Sequence, residues 1–100
     1  MTISRYSDNI KKGEQILPII SKFYGITIRM YFFQSEHNPP HIHAIYGEYA
    51  AAIEIETGEI IEGNMPGKAL ELIEEWIQIN QEDLKEIWQT QIFKRIAPLE

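Results

Sequence analysis

The chain contains no cysteine, which excludes a disulfide framework, a thiolate metal site and a cysteine nucleophile. Any metal ion would have to be held by imidazole and carboxylate. No apolar run approaches the roughly 20 residues that span a bilayer. The opening MTISRYSDNIKKGEQ lacks the apolar centre of a secretory signal, and a soluble, cytoplasmic protein is expected. Also missing are a phosphate-cradling glycine loop, a nucleotide-binding fingerprint and a G-x-S-x-G elbow. Basic residues are scarce, with nine Lys and Arg against fifteen Asp and Glu and a net charge of −6. A nucleic-acid binder usually carries a basic face that displaces phosphate counterions, so nonspecific nucleic-acid binding is not expected.

What is present suffices for one core. A length of 100 residues with 44% hydrophobic and 11% aromatic content supports one compact domain and not two. The expected organisation is an N-terminal extension over 1–16, mobile or loosely docked because SDNIKKGEQ shows no sustained period, and a single α+β domain over 17–100. Charge is uneven: residues 1–47 sum to +2 and residues 48–100 to −8. The acidic half is either the solvated face of helices or a surface for a basic partner.

Hydrophobic periodicity changes once along the chain. In GITIRMYFF, residues Ile26, Ile28, Met30 and Phe32 alternate with Thr27, Arg29, Tyr31 and Phe33, which predicts a strand with two usable faces. HIHAIYG alternates again, with Ile42, Ala44 and Tyr46 opposite His41, His43 and Ile45. AAAIEIETGEIIEG reads as a hairpin, with Ile53 and Ile55 inward, Glu54 and Glu56 outward, a turn near Thr57-Gly58 and a return through Ile60 and Ile61. Short links between about four such strands predict an antiparallel meander. Beyond Asn64 the period lengthens to that of a helix, with Pro66 at a first helical position and Ala69, Leu70, Ile73, Trp76 and Ile77 on one face. Asn80 followed by Asp83 reads as the N-cap of a second helix or of a bent extension carrying Leu84, Ile87, Trp88 and Gln91. A C-terminal helical hairpin or bent helix packed on one face of the sheet completes the expected α+β fold, with Trp76 and Trp88 covering the sheet.

The run ISKFYGITIRMYFFQSEHNPPHIHAIYGEYAAAIEIETGEIIEGNMPGKALELIEEWIQ, with its helical tail, resembles the small prokaryotic domain-of-unknown-function family numbered 4160 over about residues 17–92. The most specific element is HNPPHIHAIYGEY followed by IETGEIIEG. The resemblance implies a short α+β protein of bacteria and archaea, often encoded beside another small protein in a toxin–antitoxin-like arrangement, and no settled activity. Such proteins usually begin near ISKFYG, so the N-terminal segment of about sixteen residues is a departure.

All three histidines fall in EHNPPHIHAIYG. On a strand, side chains at i and i+2 share a face, so His41 and His43 are expected side by side. Two imidazoles with a third ligand make a workable site for one divalent ion such as zinc or manganese. Glu54 or Glu56 from a neighbouring strand would be that third ligand, or His37 folded back by a rigid Asn38-Pro39-Pro40 turn. A structural role is the alternative, each ring bonding a backbone carbonyl or carboxylate. A third reading makes His41 and His43 a metal-independent acid–base pair aided by Tyr46, Tyr49 or Arg29.

Two functional classes follow. One is an interaction module of a two-gene regulatory or toxin–antitoxin-like pair, self-associating or binding the neighbouring gene's product through its aromatic strand surface, with Arg29, Tyr31 and Phe33, or through its acidic helices. The other is a metal-dependent hydrolase or nuclease with His41 and His43 as catalytic residues.

Overall fold

The computed structural model describes residues 18–31 and 39–100. The expected N-terminal extension, Phe32, Phe33 and His37 lie outside the described residues. Seven elements follow in order: β1 (Ile19–Phe23), β2 (Ile26–Arg29), β3 (His41–Tyr46), β4 (Tyr49–Glu54), β5 (Ile60–Gly63), α1 (Gly67–Ile79) and α2 (Gln81–Thr90). The strands form one antiparallel sheet in the order β1-β2-β3-β4-β5, so the fold is an α+β meander followed by two helices.

The sheet has one strand more than the four read from periodicity. IISKF escapes a period-two reading because Ile20 is an extra residue between the pairs Ile19–Arg29 and Ser21–Ile28. The bulge puts consecutive residues Ile20 and Ser21 in the interior, where a regular strand would alternate. A tight turn then joins β1 to β2 through Tyr24 and Gly25, both left-handed at φ 49 and 82.

One face of the sheet is the core. Ile26, Ile28 and Met30, then Ile42 and Ala44, then Ile53 and Ile55 are all buried, while Thr27, Arg29, Tyr31 and His43 on the other side are only half-buried. Helix α1 lays Ala69, Ile73, Trp76 and Ile77 on the core face, and α2 adds Leu84 and Ile87. Each fully buried large side chain contributes roughly 1.5–3 kcal/mol of apolar transfer. Trp76 packs on Phe23 with ring centroids 5.5 Å apart, and its Nε1–H donates to the carbonyl of Ala97 at 2.9 Å. The C-terminal segment is thereby tied to α1. Its Ile96 N–H donates to the Ile20 carbonyl at 2.8 Å, on the outer edge of β1.

Two helix boundaries differ from the reading of the sequence. Pro66 is the N-cap of α1 and not its first helical residue, since its ψ of 147 is extended while its carbonyl accepts from Leu70 N–H at 2.9 Å. Asn80 separates the helices, yet its side chain makes no cap bond to α2. The amide Nδ2 donates instead to the Trp76 carbonyl at 2.9 Å, so Asn80 closes α1. The first turn of α2 relies on Glu82 and Asp83 beside its exposed N–H groups. One face of α2 then holds the end of β4: Gln81 Nε2 donates to the Ile55 carbonyl at 2.6 Å, and Lys85 Nζ lies 2.9 Å from Glu56 Oε1. No helix among the described residues is long and apolar enough to cross a membrane.

Candidate functional site

The side of the sheet opposite the helices carries most of the polar residues singled out in the sequence. Register places Arg29 of β2 against His43 of β3, His43 against Ala52 of β4, and Ala52 against Glu62 of β5. These four side chains form one row across the sheet, because residues paired between strands share a face. A parallel row runs through Thr27, Ile45 and Ala50, and a third pairs His41 with Glu54.

His41 and His43 do stand side by side, with ring centroids 5.0 Å apart at 66°. Their surroundings nevertheless differ. His41 is only 4% exposed. Its Nδ1–H donates to the Pro39 carbonyl at 2.8 Å, and Trp88 of α2 lies against it at a centroid distance of 5.1 Å. A carbonyl can only accept, so the proton is on Nδ1. His43 lies under Tyr31, the two rings stacked 4.0 Å apart and 12° from parallel. Its Nε2 is buried and has no hydrogen-bond partner among the described residues. Burial, and secondarily the charge of His41, lowers the His43 pKa from 6.5 to about 4, so this ring is neutral at physiological pH.

The carboxylates proposed as further ligands are otherwise engaged. Glu54 stands across from His41 and accepts from Thr57 Oγ1 at 3.1 Å. Glu56 is turned to Lys85. Among the described residues no group of three His, Cys, Asp or Glu side chains is placed to hold a metal ion. Of the proposed partner-binding residues, Arg29 and Tyr31 lie on the helix-free face, and Phe33 is outside the described residues.

Three features of this face were not read from the sequence. Ala50 and Ala52 floor an open cleft of about 270 Å³, walled by Tyr31 and His43 on one side and by Glu62 and Gly63 on the other. AAA reads in sequence as ordinary strand, and nothing in it marks a hollow between two walls. Second, β5 bulges at Ile61, the extra residue between the pairs Ala52–Glu62 and Ile53–Ile60. Third, β5 approaches β4 so closely at Gly63, where φ is 86, that a Cβ there would lie 2.2 Å from the Ala50 carbonyl oxygen. The IIEG stretch carries a glycine signal for such an approach, but not its direction.

No curated protein and no solved structure matches the chain. The family model described as "Domain of unknown function (DUF4160)" matches residues 25–89, from the β1–β2 turn almost to the end of α2. The chain therefore belongs to the DUF4160 family.

Proposed function

We propose that this protein is a small interaction module, one member of a two-gene regulatory or toxin–antitoxin-like pair, which meets another protein chain through the helix-free face of its sheet. The observation that carries this reading is the Tyr31–His43 stack beside the alanine-floored cleft, on a face that α2 reaches at its His41 end, through Trp88. Tyrosine and arginine suit such a surface, since each combines large contact area with a polar group. The sheet edges serve the purpose less well. Both edge strands bulge, and β1 is hydrogen-bonded by Ile96; bulges and a covering segment are the usual means of preventing strand addition. The two-gene arrangement draws on the family resemblance, with the acidic second half of the chain as minor support.

Metal-dependent hydrolysis or nucleolysis at His41 and His43 has less support. His41 is enclosed, the His43 Nε2 is buried, and Glu54 and Glu56 are turned to other partners. A catalytic ion needs an open coordination position beside its protein ligands.

Co-expression with the neighbouring gene's product, scored by growth and co-purification, tests the proposal alongside light scattering of the protein alone. The expected result is a stable complex, with itself or with the neighbour, that Tyr31→Ala weakens. A monomer under both conditions overturns the reading. Calorimetric titration with zinc and manganese addresses the alternative: uptake at micromolar ion, abolished by His41→Ala/His43→Ala in a folded protein, would restore it.

A further inference from the structure

The helix-free face is uneven in a regular way. On the β3 side it is high: Ile45 and His43 project from the strand, with Tyr31 stacked on His43. On the β4 side it is low, because the residues paired with Ile45 and His43 are Ala50 and Ala52. Charge follows the same division in the row Arg29-His43-Ala52-Glu62, with a cation at the β2 end and an anion at the β5 end. A ridge and a hollow thus lie next to each other, and each is flanked by a charge of opposite sign.

From this we infer that the face binds a second copy of the same chain. Consider a two-fold axis parallel to the strands, running between β3 and β4 in the plane midway between two facing sheets. The axis exchanges β3 with β4 and β2 with β5 while preserving position along the strands. Ile45 then faces Ala50 of the second copy, His43 with the Tyr31 ring stacked on it faces Ala52, and Arg29 faces Glu62, each contact occurring twice as a two-fold interface requires. Facing sheets pack about 10 Å apart with side chains interdigitating, and large residues over alanines meet that spacing without leaving a void. The neutral state of His43 removes the charge that would otherwise be buried in the seam. Glu62 is exposed on this side of the sheet. Arg29 has five donors in a planar fork, enough to bridge a carboxylate while keeping contacts within its own chain. His41, already covered by Trp88, stays outside the seam.

The inference rests on the docking-face reading above and names the occupant of that face. The test is sedimentation of the full chain across a concentration series, with charge reversals. Wild type is expected to be dimeric. Arg29→Glu sets two carboxylates against each other across the seam, and Glu62→Arg sets two guanidinium groups against each other; either change weakens self-association by at least about tenfold. Mixing the two variants in equal amounts restores a dimer, because every facing pair is then of opposite charge. The double variant Arg29→Glu/Glu62→Arg restores it too. Circular dichroism checks that each variant is folded, and Ala52→Leu, which fills the hollow on the outer side of the sheet, gives a dimerisation block independent of charge. Wild-type monomer throughout, or a dimer indifferent to both reversals and to Ala52→Leu, overturns the inference. A wild-type monomer that still binds the neighbouring gene's product in a Tyr31-dependent way overturns it as well, and leaves the docking face itself standing.

Discussion

Tyr31 lies flat on His43, ring centroids 4.0 Å apart and planes 12° from parallel, and so ties the start of the β2–β3 connection to the middle of the sheet. The stack shields one face of an imidazole whose Nε2 has no partner among the described residues. Its removal separates stability from binding. Tyr31→Ala is expected to cost about 1 kcal/mol in urea unfolding, the usual worth of such a ring pair. Association through the face is expected to weaken by about 2 kcal/mol or more, as for a central aromatic anchor. Equal effects on the two measurements would make Tyr31 merely structural.

Acid should destabilise the protein through His43. Its pKa in the fold is about 4, against 6.5 when unperturbed, so the unfolded chain binds the proton first as pH falls. The stability due to the neutral ring is complete above pH 6.5 and is lost between there and about pH 4. Thermal melts of wild type and His43→Gln over this range are the check. The difference between them should shrink or reverse toward pH 4, and a constant difference would show that His43 titrates normally.

Gly63 permits the closest approach between β4 and β5. Any Cβ there meets the Ala50 carbonyl oxygen at 2.2 Å, with φ already at 86. Gly63→Ala is expected to cost about 1–3 kcal/mol from backbone strain and to act locally. Hydrogen exchange should rise in β5 and at Asn64, whose N–H donates to the same Ala50 carbonyl at 3.1 Å, before it rises in β2 and β3.

Trp76 holds the C-terminal segment as well as the core. Trp76→Phe keeps most of the apolar contact but loses the donor to Ala97, an expected loss of about 1 kcal/mol; Trp76→Ala should cost about 3–5 kcal/mol. With Phe, amide protection should fall at Ile96, which donates to β1, more than within α1.

The proline pair sets up the histidine strand. Pro39 supplies the carbonyl that takes the His41 Nδ1–H bond, and the Pro40 carbonyl accepts from Ile55 N–H at 3.0 Å. Replacing both prolines with alanine frees the unfolded and local open states. Amide exchange is expected to rise around residues 41–43 and 55 while the helices keep their protection.

The sequence by itself determined where the strands with unbroken alternation run and which of their residues face inward. Ile26, Ile28, Met30, Ile42, Ile53 and Ile55 are all buried as their spacing required, because in an extended chain the two faces are decided by parity alone. The same argument set His41 beside His43, and the helical spacing of Ala69, Ile73, Trp76 and Ile77 marked the face of α1 that enters the core. Tertiary structure decided the rest. Strand β1 was hidden by its bulge, which breaks parity at Ile20. Asn80 closes the helix before it although its sequence context suggested the helix after it, since a short amide at a joint can serve either side and the Trp76 carbonyl is in reach. Glu56 went to Lys85, His41 came to lie against Trp88, and Arg29, His43, Ala52 and Glu62 fell into one row. Each of these depends on the register between strands or on where α2 lies. Contacts between residues far apart in sequence follow from the packing of whole elements, and no local period encodes them.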